Sequence, residues 1–230
     1  MLQVILSGGI FHDFSATSQL LAEYAKQFQM TSLIVDHPDE AFALIQAGNV
    51  SLLTVNALHW PMVGDKYNPY RDAWRYEMQD DHAHTLEQFM ARGGNLLGLH
   101  TASICFSDWS GWQTLLGGRW VWGQSFHPNP SSLSLRPTPA GLDFGLENFV
   151  TTDERYTELE ISPEAQVLMV GSDSERVDEP LVWRKTTGDG RAAYSALGHD
   201  AHSLASGGVK DLIMKLMAWL VRLDEGRFDD

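Results

Sequence analysis

Histidines follow several short apolar runs of this sequence, and imidazole is well suited to proton transfer near neutral pH. His100 closes the apolar run 95–99, His12 follows the glycine pair at 8–9, and His199 follows the run 192–197. Neutral imidazole is also a common metal ligand. These three positions therefore predict either general acid–base catalysis or a divalent metal site.

Two carboxylates and a phenol stand together in the segment 153–156, which reads DERY. Glu154 could act as a general base, a metal ligand or an acceptor for sugar hydroxyl groups. The alternative for Glu154 is an ion pair with Arg155 or Arg191. Three histidines and a carboxylate could form a catalytic zinc or manganese site, but spacing alone does not establish that they converge.

The segment 98–102, GLHTA, has the layout of a nucleophile elbow, a sharp turn between a strand and a helix that raises one side chain. The raised residue is His100, which suits acid–base or ligand chemistry better than acyl transfer. The single cysteine, Cys105, lies in an apolar context and is predicted to be a packed, inert thiol. A working glutamine amidotransferase is therefore disfavoured.

The elements that must position these groups alternate between strands and helices in the first half of the chain. Strands are predicted at 2–7, 32–35, 50–55 and 96–99. Helices are predicted at 17–30, 39–47 and 80–91, and a loop at 56–75. This alternation is typical of a parallel sheet covered by helices on both faces. Ligands bind such sheets at the carboxyl ends of the strands, where the three histidines are predicted to lie.

The second half is less regular, and residues 107–165 are rich in Gly, Pro, Trp and Ser. Further strands are predicted at 167–170, 181–184 and 192–197, and a helix at 209–223. No repeat, linker or low-complexity tract divides the chain, so we predict one domain over residues 1–230.

The charge excludes some classes of partner. The chain of 230 residues carries 30 acidic and 16 basic side chains, giving a net charge of −14, which repels nucleic acid and anionic lipid. No segment approaches the ~20 apolar residues of a membrane span, and the start of the sequence lacks the basic region of a signal peptide. A single cysteine suits a reducing compartment. We predict a cytoplasmic location without nucleic-acid or membrane partners, and leave homo-oligomer formation open.

Six segments carry a wider resemblance in their order along the chain. They are 6–13 (LSGGIFHD), 93–102 (GGNLLGLHTA), 115–118 (LLGG), 149–156 (FVTTDERY), 180–183 (PLVW) and 188–199 (GDGRAAYSALGH). Together they resemble the trehalose-utilisation (ThuA-like) family of the class I glutamine amidotransferase-like superfamily. The resemblance implies an α/β, flavodoxin-like three-layer sandwich with a mostly parallel central sheet, from which the amidotransferase nucleophile has been lost.

The same resemblance implies a role in disaccharide or keto-sugar metabolism. One departure is visible, because the family usually places a His-Pro pair before the Asp-Glu-x-Tyr segment, whereas this chain has Arg136-Pro137. That departure puts the role of the family histidine in doubt here.

Several polar and aromatic residues are candidates for sugar binding. The substrate-binding candidates are Asp13, Thr101, His127, Tyr156, Trp183 and Asp200. Aspartates before helices can also be caps, and tryptophans can simply fill the core. Seven of the eight tryptophans fall mostly in or beside loops, so at least one is expected to line a pocket.

Two functions remain in competition. The first is an enzyme acting on a neutral sugar, disaccharide or keto-sugar by isomerase, lyase or hydrolase chemistry, with His100, His12, Glu154 and His199 as catalytic residues and a zinc or manganese ion as the candidate cofactor. The second is a non-catalytic descendant of the amidotransferase fold that binds a sugar or another partner.

Overall fold

A mixed β-sheet forms the centre of the protein, which a computed structural model describes for residues 1–174 and 177–223. The strands are β1 (Leu2–Gly8), β2 (Thr31–Val35), β3 (Val50–Ala57), β4 (Asn95–Leu99), β5 (Gly118–Arg119), β6 (Ser131–Pro137), β7 (Phe149–Asp153), β8 (Glu160–Ile161), β9 (Gln166–Ser172), β10 (Glu179–Thr187) and β11 (Gly190–Ser195). Among the described residues, nine strands form the large sheet in the order β2-β1-β3-β4-β11-β10-β9-β6-β7, and β5 pairs with β8.

The large sheet has two halves. Strands β2, β1, β3, β4 and β11 are mutually parallel, whereas β10, β9, β6 and β7 extend the sheet by antiparallel pairing. All five residues of β4 are buried, as expected for a strand covered on both faces. The predicted α/β, flavodoxin-like architecture is confirmed, and the parallel half supplies most of its site-bearing strand ends.

Helices cover the sheet. They are α1 (Phe14–Lys26), α2 (Pro38–Gln46), α3 (Arg71–Trp74), α4 (Asp80–Ala91), α5 (Ser110–Leu116), α6 (Pro139–Asp143), α7 (Ala201–Ala205) and α8 (Gly207–Leu220), with 3₁₀ turns at Asp65–Tyr70 and His100–Ser103. The predicted loop at 56–75 is wrong in part, because a 3₁₀ turn and α3 lie within it. In the part of the chain that the structure describes, no helix is both long and apolar enough to cross a membrane.

Two of the substrate-binding candidates are N-caps, the residues that directly precede a helix. Asp13 accepts a hydrogen bond from the backbone N–H of Ala16 at the start of α1, and Asp200 accepts one from Ser203 at the start of α7. The helix predicted from residue 17 therefore begins at Phe14, directly after its cap. The structure favours the capping alternative for both aspartates.

Trp183 lies in the core and not in a binding site. Its side chain is fully buried, its Nε1 donates to the carbonyl of Leu116 (2.9 Å), and its ring stacks on Tyr194 at 4.2 Å. The expectation that Trp183 contacts a substrate does not fit this position, because a ligand cannot reach the ring without displacing the core. Apolar contacts continue through both halves of the sheet, while the single domain over residues 1–230 stays a prediction.

Candidate metal and acid–base site

His100 stands on a strained elbow at the end of β4. Its backbone has φ +46°, a left-handed conformation that costs a residue other than glycine about 1–3 kcal/mol. The Tyr194 hydroxyl, which comes from β11, donates to the His100 carbonyl (2.7 Å) and lies 3.0 Å from Ser103 Oγ. These contacts hold the turn, so the buried imidazole projects from a fixed backbone.

His12 reaches His100 although β3 lies between β1 and β4. Gly8 and Gly9 have φ values of +108° and +133°, which favour glycine. A Cβ on Gly9 would lie 2.8 Å from Leu58 Cβ, which is closer than packed carbons approach. The glycine pair therefore lets the loop after β1 cross the end of β3 and bring His12 to the elbow.

Asp153, to which the sequence alone assigns no role, joins β7 to the loop after β11. Its buried carboxylate accepts hydrogen bonds from the backbone N–H of Gly198 (2.7 Å) and of His199 (3.3 Å). Ser203 Oγ donates to the same group. Glu154 is the next residue, so one carboxylate fixes both the Glu154 backbone and the His199 loop. The signal was an acidic residue at the end of a strand, but its partners lie 45 to 50 positions away.

Four side chains converge at this edge of the sheet: His12, His100, Glu154 and His199. One ligand atom from each lies within 4.8 Å of the others. His100 Nε2 is 3.2 Å from His12 Nε2, 3.4 Å from His199 Nδ1 and 3.2 Å from Glu154 Oε2. Ligands bonded at about 2.1 Å to a tetrahedral zinc are about 3.4 Å apart, and octahedral neighbours are about 3.0 Å apart. The three distances from His100 Nε2 are therefore those expected between neighbouring ligands of one divalent ion.

The tautomers of two histidines favour a cation at the centre. His100 Nδ1 lies 2.7 Å from the carbonyl of Ala196, and His12 Nδ1 lies 3.2 Å from that of Ile10. A carbonyl can only accept a hydrogen bond, so each Nδ1 carries a proton, and in the neutral form of each ring Nε2 presents a lone pair. Two lone pairs facing each other at 3.2 Å repel unless a proton or a metal ion lies between them.

Glu154 supplies the negative charge of the cluster, which we define as His12, His100, Glu154 and His199. Burial alone would raise the pKa of Glu154, but contacts with His100, His127 and His199 lower it, so the carboxylate is ionised at neutral pH. Its Oε2 is buried and, among the described residues, has no partner in hydrogen-bond geometry. A buried, ionised oxygen without a hydrogen-bond partner is suited to bind a metal ion.

Burial and the nearby His100 lower the pKa of His12 to about 4, so this imidazole is neutral at pH 7. The contact with Glu154 raises the pKa of His199 above its usual value. The cluster therefore combines a neutral nitrogen ligand with an anionic oxygen ligand, a donor set that suits zinc or manganese.

His127 stands at the mouth of the cluster with 39% of its side chain exposed. Its Nδ1 lies 3.2 Å from Glu154 Oε2, a contact that raises the pKa of His127. Its ring stacks on the buried Tyr156 at 5.5 Å, and Tyr156 also packs against His100 at 4.5 Å. Of the substrate-binding candidates, these two lie beside the cluster, with His127 facing solvent.

Arg136, at the position where the resemblance implies a histidine, is not a member of the cluster. Arg136 lies on β6 and pairs with Asp178 (2.5 Å) on the exposed surface. A His-Pro pair does occur nine residues earlier, at His127-Pro128, and that histidine contacts Glu154. The chain therefore has an arginine where the resemblance implies a histidine, while His127 supplies a separate imidazole that contacts Glu154.

Thr101 and Cys105 are buried beneath the elbow. Thr101 Oγ1 donates to the carbonyl of Ala57 (2.6 Å), and Cys105 Sγ lies 3.1 Å from the same oxygen. Thr101 therefore anchors the elbow to β3, which does not fit the expected contact with substrate. Burial raises the pKa of the Cys105 thiol to about 12, which fits an inert packed thiol.

Comparison with known proteins identifies similar sequences and folds. A family model described as ThuA, trehalose utilisation, matches residues 62–220. A ThuA-like protein from Parabacteroides merdae ATCC 43184 is 15% identical with a TM-score of 0.73, covering 96% of this chain and 90% of its own. A second, from Bacteroides uniformis ATCC 8492, is 14% identical with a TM-score of 0.68, covering 95% and 90% respectively.

The same fold also occurs inside a larger enzyme. A β-galactosidase from Rahnella sp. R3 is 12% identical with a TM-score of 0.59, and the match covers 95% of this chain but 31% of that enzyme. At these identities the structures establish a shared fold alone. No curated protein matches the sequence. The family model covers well over half of the chain and its description indicates a sugar-related role, so the chain belongs to the ThuA, trehalose-utilisation, family.

Proposed function

We propose that this protein is an enzyme that acts on a neutral sugar, disaccharide or keto-sugar at a metal-assisted acid–base site. The observation that carries the proposal is the convergence of His12, His100, Glu154 and His199 with ligand spacing. The family description supports a sugar substrate, and the net charge of −14 disfavours phosphorylated ones.

Each member of the cluster has a role in this proposal. His12 and His100 hold the ion through Nε2, His199 through Nδ1 and Glu154 through Oε2. A bound Zn²⁺ or Mn²⁺ would supply Lewis acidity that polarises a carbonyl or hydroxyl oxygen of the sugar. His127 faces solvent beside Glu154, where its imidazole can carry a proton to or from a sugar oxygen.

The arrangement suits proton movement beside a keto group, which underlies isomerisation and elimination, and it also suits hydrolysis. Acyl transfer through a thiol is not proposed, because Cys105 is buried and His100 occupies the elbow. The alternative is a sugar-binding protein without catalysis, which would keep the cluster as a binding device.

The test combines metal content with turnover. Protein stripped with a chelator is titrated with Zn²⁺ and Mn²⁺ by calorimetry, and a 3-keto-glycoside is offered before and after loading. We expect one ion per chain, turnover lost on stripping and turnover restored on loading. Turnover that is independent of metal would contradict the metal role, and sugar binding without turnover would favour the binding protein.

Replacing Asp153 with asparagine is expected to weaken metal affinity about 10- to 100-fold, because residues that orient ligands have effects of that size. Asparagine cannot accept on both side-chain atoms, so the N–H of either Gly198 or His199 loses its partner. The free energy of unfolding should also fall by about 1–3 kcal/mol. Calorimetric titration and urea denaturation measure the two effects.

The matched control for this change is Ser203→Ala, which removes one donor to Asp153 and leaves both backbone hydrogen bonds. It should show a smaller loss in both measurements. An Asp153→Asn variant with the metal affinity of the wild type would show that the His199 loop holds its position without the carboxylate.

A further inference from the structure

An aromatic cavity of about 490 Å³ opens at the same edge of the sheet as the cluster. Its lining residues are Trp60, Pro61, Val63, Ser107, Asp108 and Trp122. They come from the segment after β3 and from the segments before and after α5. Its volume falls within the range of roughly 300–1,000 Å³ that is usual for small-molecule sites.

The tryptophans of this cavity differ in exposure. Trp60 is buried and packs edge-on to Tyr67 at 5.1 Å, so it forms a rigid wall. Trp122 is 52% exposed, and among the described residues no other aromatic ring packs against it. An indole kept half-open to water beside an apolar wall is a surface suited to a flat ligand face.

The cavity is connected to the cluster through one loop. Trp122 and His127 lie five positions apart, and Trp120 between β5 and Trp122 packs against Tyr156 at 5.1 Å and His127 at 6.0 Å. The Trp120 backbone N–H donates to the carbonyl of Ser103 (3.0 Å), which ties the loop to the turn that carries His100.

The wall formed by Trp60 is also connected to the cluster. Trp60 and Ile10 belong to one group of buried apolar residues, and Ile104 packs against this group. Ile10 precedes His12 by two positions, and Ile104 follows the His100–Ser103 turn. Both links join the lining of the cavity to the segments that carry His12 and His100.

We infer that this cavity binds the second ring of a glycoside whose first ring lies against the histidine cluster; the inference rests on the proposed function. The apolar C–H face of a sugar ring stacks on the Trp122 indole, and the ring hydroxyls meet Ser107 and Asp108. Asp108 Oδ2 accepts a hydrogen bond from the Met78 N–H (2.8 Å), which holds the carboxylate at the wall.

The experiment compares a two-ring and a one-ring probe on the metal-loaded protein. Trehalose and glucose are titrated by calorimetry into the wild type and into Trp122→Ala. We expect the variant to bind trehalose about tenfold more weakly and glucose unchanged. Phe126→Ala is the control, because Phe126 is 50% exposed on the same loop but does not line the cavity, and both affinities should then be unchanged.

A second variant guards against a local effect of removing the indole. Val63 also lines the cavity and is 82% exposed, so Val63→Trp should occlude the cavity and weaken the binding of trehalose alone. Equal losses for both sugars in Trp122→Ala, or the same loss in Phe126→Ala, would overturn the inference. Wild type that binds neither sugar would overturn it too, whereas turnover of a 3-keto-glycoside tests the proposed function separately.

Discussion

Replacing His100 with alanine should lower metal affinity at least 100-fold and abolish turnover of a 3-keto-glycoside. Altering a residue that merely orients a ligand costs 10- to 100-fold, so removing a ligand should cost at least as much. His100 Nε2 is the atom within 3.4 Å of the other three ligand atoms, so its loss leaves the set without a centre. Calorimetric metal titration and a turnover assay measure both effects.

The matched control is His84→Ala, because His84 is exposed on α4 and contacts Gln88. That variant should keep the metal content and turnover of the wild type. Circular dichroism must show that His100→Ala is folded, and alanine keeps a Cβ at the same left-handed position. Metal affinity equal to that of the wild type in folded His100→Ala would show that His100 is not a ligand of the ion.

Replacing Trp183 with alanine should destabilise the protein by about 3–5 kcal/mol, the usual cost of truncating a buried aromatic side chain. The ring is fully buried, and truncation also leaves the carbonyl of Leu116 without its Nε1–H donor. Urea denaturation of the metal-free protein measures the loss without a contribution from ligand binding.

Trp183→Phe separates the core role from a role in binding. Phenylalanine keeps a ring to stack on Tyr194, so the destabilisation should be smaller than for alanine and turnover per folded molecule should match the wild type. A stable Trp183→Phe variant with a selectively raised KM would contradict the assignment of this residue to the core.

Sequence periodicity located the parallel half of the sheet well. The helix predicted at 80–91 is α4 (Asp80–Ala91), because its apolar residues repeat at helical spacing and glycines stop it. The strand β6 was missed because its sequence SSLSLRP buries only Leu133 and Leu135, which is too few for a clear alternation. A strand with few apolar residues, such as β6, is therefore recognised only from its pairing with distant strands.

The sequence predicted which residues belong to the site, but it did not predict the distances between them. Strand ends drew attention to His12, His100 and His199, but the distance between them depends on a loop crossing β3. Nothing local to His127 indicates that it reaches Glu154, because they approach only after β6 and β7 pair. Trp183 and Thr101 show the converse, because both are buried and hydrogen-bonded within the core. Asp13 and Asp200 cap helices, and their contact with substrate stays a prediction.

The hydrogen bond from His100 Nδ1 to the Ala196 carbonyl bears on whether a thiol nucleophile could be placed on the elbow. A cysteine at this position would have no second polar atom to offer, so the buried carbonyl after β11 would lose its donor. An aspartate would place an acceptor against an acceptor. Replacing the imidazole would therefore also require changes in the segment after β11. His100 contacts the Ala196 carbonyl through Nδ1 and the other cluster residues through Nε2.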